Sequence, residues 1–291
     1  MAMGEAWPAS GRTLYVVATP LGNLRDISLR ALDVLAGVDV IAAEDTRVTA
    51  KLLARHGIAS RLLSLHEHNE RRRAADIVAL LRDGKSVAMV SDAGTPGVSD
   101  PGAALVRAVT DAGFAVVPVP GASAVIAALS SSGLAAPRWL FCGFLPAGSG
   151  ARRKELERLR DYPCALVFYE APHRIAATLD ALVAVFGAER ELVIARELTK
   201  HFESIHRARL GEAPAWLAAD PDRARGEFVL IVDAPVAARE SDDAAAHDRT
   251  LAVLLSELPL AQAVRIAVAL TGASRKRLYA RALALTASDR R

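Results

Sequence analysis

Cysteine is nearly absent. Only Cys142 and Cys164 occur in 291 residues, both in apolar surroundings. Two such cysteines do not make a disulfide scaffold, and reduced thiols in the cytoplasm are expected. No long apolar run is present either: no stretch approaches the ~18 residues a membrane span needs. Met1 to Ser10 carries no apolar core of the secretory type. Aromatics are few, at 5%. Net charge is also small, at +3 with a pI near 9.1, which does not by itself demand a polyanionic partner. What remains is a chain 52% hydrophobic, rich in Ala, Val and Leu, and long enough for two cores.

The recurrent unit is a short apolar run, then a Gly/Pro loop, then a helical pattern. Leu14–Ala18, 38–43, Leu62–Leu65, Val87–Val90 and Ala115–Val119 read as five strands. Ser28 is placed to cap the first helix. Helices follow to about His56, over 71–82 and from Ala103. This alternation predicts a mostly parallel sheet covered on both faces. A second unit beginning near Ala124 contributes Leu140–Cys142, Ala165–Tyr169, Glu191–Ala195 and Phe228–Val232 as strands. Residues 234–247 read as a linker. Three short helices are expected over 251–258, 262–270 and 275–286. The expected units are 1–123, 124–235 and 236–291.

The densest punctuation is Ser91-Asp92-Ala93-Gly94-Thr95-Pro96-Gly97-Val98-Ser99-Asp100-Pro101-Gly102. It follows an apolar strand, so it places bare backbone amides and two carboxylates at the strand's C-terminal edge. Open α/β sheets bind ligands there. Pro20-Leu21-Gly22 and Pro120-Gly121-Ala122-Ser123 end their strands similarly. Together the three loops describe a pocket rich in backbone and poor in cations. That suits an adenosine with an amino-acid tail better than a triphosphate.

Other motifs carry less. Gly84-Lys85-Ser86 precedes a strand and lacks the first Gly of a phosphate loop. There is no G-x-G-x-x-G. His66, Glu67 and His68 lack a third metal ligand, and no metal is expected. Ser123 has no nucleophile elbow. Three basic triplets, 71–73, 152–154 and 275–277, stand out. From Thr271 onward six Lys/Arg face one acid, Asp289. A Gly-containing turn before a basic helix fits helix-turn-helix, and equally a plain three-helix module.

Six segments in order are Thr-Pro-Leu-Gly-Asn-Leu, Ala-Glu-Asp-Thr-Arg, the 91–102 loop, Pro-Gly-Ala-Ser-Ala, Phe-Tyr-Glu-Ala-Pro-His-Arg and Ala-Arg-Glu-Leu-Thr-Lys. With them the chain, over about Thr13 to Ala234, resembles the tetrapyrrole-methylase-like (class III) methyltransferases. Within that family it resembles the branch acting on ribosomal RNA, whose helix-turn-helix extension the tail resembles too. The resemblance implies two α/β domains of tetrapyrrole methylase-like fold, a small helical tail and a homodimer. It implies S-adenosylmethionine in the interdomain cleft and 2′-O-methylation of a cytidine ribose in 16S rRNA of the small subunit. Matching positions carry over as cofactor contacts: Leu21, Asp92, Thr95, Ser123, Ala124, Tyr169, Ala195 or Arg196, and Glu227. The loop reads Asp-Ala-Gly-Thr-Pro where tetrapyrrole methylases have Gly-Asp-Pro, which argues against a tetrapyrrole substrate.

Removing the hydroxyl proton calls for a base or a stabilising cation. Candidates are Lys200 and Glu203, with Glu44, Asp45 and Arg47 across the cleft. The alternative is local ion pairing, Glu44 with Arg47 and Lys200 with Glu203. Two rival functions stand beside this one: a tetrapyrrole or diphthine-type methylase, and a non-catalytic RNA-binding ribosome factor.

Overall fold

The structure is a computed structural model that describes residues 9–134 and 137–288. The basic and acidic residues 289–291 of the tail lie outside it.

In the first unit β1 (Thr13–Val17), α1 (Leu29–Gly37), β2 (Val40–Ala43), α2 (Thr46–Arg55), β3 (Arg61–Ser64), α3 (Glu70–Arg82), β4 (Val87–Val90), α4 (Ala103–Asp111) and β5 (Ala115–Val119) alternate. The sheet order is β3-β2-β4-β1-β5, and every pairing is parallel. Period-two alternation explains why both faces are covered. Leu14, Val40, Ala42, Val87 and Met89 pack under α3 and α4. Tyr15, Val17, Ile41, Ala43, Ala88 and Val90 pack under α1 and its neighbours. Ser28 caps α1, its Oγ accepting from the Ala31 amide at 3.1 Å. Because the strands are parallel, the loops after β1, β2, β4 and β5 all meet at one edge.

The second unit holds α5 (Ala124–Ser131), β6 (Trp139–Phe144), α6 (Ser149–Leu159), β7 (Ala165–Glu170), α7 (Ile175–Phe186), β8 (Glu191–Arg196), β9 (Ser204–Arg209), α8 (Ala213–Ala218) and β10 (Phe228–Val232). Its order is β6-β7-β10-β8-β9. Only β6 and β7 run parallel. The central β10 is antiparallel to both neighbours, and β9 to β8. One face packs on α6, α7 and α8. The other packs on α5 and turns towards the first unit through Leu21.

The stretch expected as a linker is helical. α9 (Val236–Glu257) runs unbroken into the tail, followed by α10 (Leu260–Thr271) and α11 (Arg275–Ser288). Ala, Glu and Arg are good helix formers, so a polar composition here is compatible with a helix as well as with a coil. The tail has its own small core of Leu251, Val264, Ala267, Leu278 and Ala282. Gly272 ends α10 in the left-handed conformation, φ +70°. Arg281 grips Asp248 with two bonds of 2.5 Å, pinning α11 to α9.

Gly84-Lys85-Ser86, the imitation phosphate loop, anchors a carboxylate instead. Asp39 accepts from the Ser86 amide (2.8 Å), Ser86 Oγ (2.9 Å) and Lys85 Nζ (2.9 Å). These bonds, the Ser86 amide first, lower its pKa to about 2. His66 Nε2 lies 3.0 Å from Asn69 Nδ2, and no metal-type cluster of three or more ligands exists among the described residues.

Candidate functional site

The strand-end loops are laced together. Thr19 and Gly94 exchange two backbone hydrogen bonds, of 2.9 and 3.0 Å, joining the β1 and β4 loops. Gly94 has φ +85°, and a Cβ there would press on Leu21 Cδ2 at 3.2 Å, so this crossing needs glycine. Thr19 Oγ1 donates to the Ser91 carbonyl (3.0 Å), and Thr95 Oγ1 to that of Ala122 (3.0 Å). Glu70, at the start of α3, accepts from the amides of Gly102, Ala104 and Leu105 at 2.9–3.1 Å. A carboxylate on the free N–H groups of α4 fixes the far end of the long loop.

Between these loops and the second sheet lies a cleft of about 380 Å³. Leu21, Asp92, Thr95, Ser123, Ala124, Tyr169 and Glu227 all line it, as does Glu44. Ala195 and Arg196 do not. Ala195 is buried and pairs with Val229, which reaches the cleft, but lies one strand further out. Arg196 turns away to brace the chain, donating to the carbonyls of Phe202, Asp222 and Arg225 and to Ser204 Oγ.

The first-unit wall is acidic. The Asp45 amide donates to Asp92 Oδ1 (2.9 Å), and the Asp92 amide to Glu44 Oε2 (3.4 Å). Asp100 joins them in the wall. Burial, then Glu44 and Asp92, push the Asp100 carboxyl up to about 6. Burial raises Glu44 as well, with Asp92 and Asp45 adding repulsion. Asp45 differs: it caps α2 and is held low, first by its side-chain bond to Arg47. Arg47 therefore pairs with Asp45 (2.6 Å), not with Glu44 as the sequence suggested.

The second-unit wall is aromatic. Tyr169 meets Phe141 and Phe144 edge-on, centroids 4.9 and 5.6 Å apart. A bulge at Gly143 (φ +65°) lets β6 approach Ser99, Oγ 3.3 Å from a would-be Cβ. The β8–β9 loop carries Glu197 and Thr199 at φ +51° and +68°. Left-handed backbone at non-glycine residues is held only by surrounding contacts. It projects Leu198 into the cleft.

Lys200 does not itself line the cleft; it bridges Glu197 Oε1 (2.8 Å) and Glu227 Oε2 (3.0 Å), of which Glu227 does. Its stem lies against Gly22 of the opposite unit, where a Cβ would clash at 2.5 Å. The pairing with Glu203 is not formed. Glu203 accepts from the Thr199 amide and does not line the cleft. Burial alone would lower the Lys200 pKa, but its two carboxylate partners outweigh that and raise it.

Sequence reasoning passed over Asp100, Phe144 and Leu198 as site residues. Asp100 was visible inside the 91–102 motif, and Leu198 inside the Arg196–Lys200 loop. Phe144 lies beyond the expected strand end at Cys142, past the bulge.

Residues 13–214 match the family model Tetrapyrrole (Corrin/Porphyrin) Methylases. Residues 241–286 match a second, RsmI C-terminal HTH domain. The chain is 50% identical over 270 residues to Ribosomal RNA small subunit methyltransferase I of Escherichia coli O157:H7, covering 93% of this chain and 94% of the relative. The protein belongs to this family of methyltransferases. Its counterpart in Neisseria meningitidis serogroup A is 49% identical, with 94% of each chain covered. Among solved structures, uroporphyrin-III C-methyl transferase from Thermus thermophilus complexed with S-adenyl homocysteine superposes with a TM-score of 0.54. It is 19% identical and covers 76% of this chain and 97% of its own. Cobalt precorrin-4 methyltransferase gives a TM-score of 0.56 at 17% identity, covering 76% and 94%. At that distance these two show the methylase fold alone: two α/β domains, to which this family member adds its helical tail.

Proposed function

We infer that the protein is an S-adenosylmethionine-dependent methyltransferase that methylates the ribose 2′-hydroxyl of a cytidine in 16S rRNA of the small ribosomal subunit. The observation that carries this reading is the near-full-length identity of about half to relatives named for that RNA. The match of the tail to their own C-terminal domain supports it against a tetrapyrrole substrate. A merely RNA-binding role leaves the laced loops and the acidic wall without a task.

The cleft fits the cofactor. S-adenosylmethionine supplies a methyl group activated on a cationic sulfonium. Asp92, Glu44 and Asp100 give that positive charge an acidic, incompletely neutralised wall. Leu21, Leu198 and Tyr169 exclude water around it. Thr95, Ser123, Ala124 and Glu227 complete the cofactor set, while Ala195 and Arg196 support it from outside. Among the candidate acid–base groups, Glu44 has the raised pKa that proton transfer near neutrality favours. Lys200, held protonated, serves as a cation beside the developing alkoxide and not as the base. Glu203, Asp45 and Arg47 shape the loops that carry these groups.

The chain divides functionally at 1–123, 124–235 and 236–291 and acts in the cytoplasm as a homodimer. Among the described residues no helix is long and apolar enough to cross a membrane. Exposed Leu29, Ile126, Phe202 and Ile205 support the dimer.

The test is transfer of labelled methyl from S-adenosylmethionine to purified 30S subunits and, separately, to a porphyrinoid. Label on a cytidine ribose of 16S rRNA is expected. Label on the porphyrinoid and none on RNA would sink the reading.

A further inference from the structure

A second recess opens beside the cleft, between the β1 loop and α2. It holds about 310 Å³, and its walls include Pro20, Leu24, Val48, Thr49, Lys51 and Leu52. Leu21 and Asp92 line both hollows, so the recess and the cofactor cleft share one wall. Leu24 and Val48, from different elements, are 42% and 40% exposed. Large apolar side chains left open in a concave surface mark a ligand with apolar faces. The rim adds positive charge: Lys51 is exposed on α2, and Arg25 is exposed on the turn beside Leu24. Apolar walls with a cationic rim match a flat base carried on an anionic backbone.

The geometry points to this recess as the seat of the acceptor's base: a single pyrimidine turned out of its RNA strand, with Lys51 against a neighbouring phosphate. The inference deepens the functional reading above and rests on it. Methyl transfer needs donor and acceptor in adjoining, fixed positions. An enzyme that acts on one nucleotide of a folded RNA reaches it unstacked, its faces packed by apolar or aromatic side chains. A base seated between Leu24, Val48 and Leu52 leaves its ribose at the seam formed by Leu21 and Asp92. Asp92 keeps Oδ1 on the Asp45 amide, which fixes the carboxylate at that seam. The recess selects for an unstacked nucleotide by shape, whereas the acidic cleft beside it takes the cationic donor.

The experiment fills the recess from either side. Val48→Trp and Leu24→Trp are each compared with the parent on reconstituted 30S subunits carrying either the target cytidine or an abasic ribose at that position. Both variants should bind S-adenosylmethionine within about twofold of the parent, as measured by calorimetry, and lose at least about tenfold in methyl transfer to the cytidine acceptor. The parent should lose a similar factor on the abasic acceptor, where the variants should match it. Parental rates for either folded variant on cytidine, or equal losses on both acceptors, overturn the recess as the base site. A parent inert on both 30S preparations overturns the functional reading, and this inference with it. If both tryptophan variants lose cofactor binding through misfolding, Lys51→Gln, an exposed change, decides. A KM for 30S subunits raised about threefold with kcat unchanged supports the assignment, and an unchanged KM overturns it.

Discussion

The two walls of the cleft handle charge in opposite ways. On the second-unit side Lys200, just outside the cleft lining, is clasped by Glu197 and Glu227, so it offsets one of their two negative charges before any ligand arrives. On the first-unit side Glu44, Asp92 and Asp100 lie together, and Arg47 beside them is committed to Asp45. Burial first, and then the neighbouring carboxylates, disfavour ionisation here, and both raise the pKa values of Glu44 and Asp100. We propose that the first wall, with less internal compensation, governs affinity for a cationic donor, and that the second governs geometry.

The sharpest way to break this contrast is Asp92→Ala. It removes a charge-assisted partner and should weaken cofactor binding by about 1.5–3 kcal/mol, on the order of 10- to 100-fold, without unfolding the chain. Unchanged affinity in calorimetry would remove Asp92 from the donor wall. Lys200→Ala should act on the other side. It should lower single-turnover methylation of 30S subunits about tenfold while moving cofactor affinity far less, because it removes a cation near the acceptor. Lys200→Arg, which keeps the charge, should recover part of that rate. A Lys200→Ala rate within a few-fold of the parent would end its catalytic assignment.

A smaller effect comes from pH. Asp100 titrates at about 6 in the fold, against about 3.9 in an unfolded chain. The folded state then holds more protons between those values, so stability of the free protein falls as pH rises from about 4 to 6, by roughly 1–2 kcal/mol after solvent screening. Cofactor affinity should run the other way, rising severalfold from pH 5 to 7 as the carboxylate ionises. Asp100→Asn should flatten both profiles. The smallest change in donor affinity is expected from truncation after residue 235. The tail packs on its own core, so cofactor binding should stay within about twofold, by the near-additivity of separate sites. Affinity for 30S subunits should fall. Loss of cofactor binding by a folded truncation would place the tail in the pocket.

The same two halves show why some features were legible in the sequence and others were not. The first unit is read almost residue by residue, because Ser28, Gly94 and the 91–102 loop announce caps and turns chemically. The second unit hides β9. Ser204-Ile-His-Arg-Ala-Arg alternates exposed Ile205, Arg207 and Arg209 with half-buried neighbours, so little hydrophobic contrast marks this edge strand. Strand direction around β10 is likewise invisible to local periodicity. At the site, spacing suggested that Lys200 would meet Glu203. The left-handed residues Glu197 and Thr199 turn the loop so that Lys200 meets Glu197 and Glu227 instead. Long-range partners such as Glu227 leave no trace in a neighbour count along the chain.

The central position of β10 sets an order of assembly. In the first sheet β1, which bridges β4 and β5, is the earliest of its five strands among the described residues, and the sheet is complete once β5 emerges. In the second, no ladder joins the β6–β7 pair to the β8–β9 pair until Phe228–Val232 arrives between β7 and β8. During synthesis, the first unit can close while the second stays open for roughly another hundred residues, its apolar faces exposed to whatever surrounds a nascent chain. The half that supplies the acidic wall is thus built first, and the half that completes the cleft is locked by its last strand.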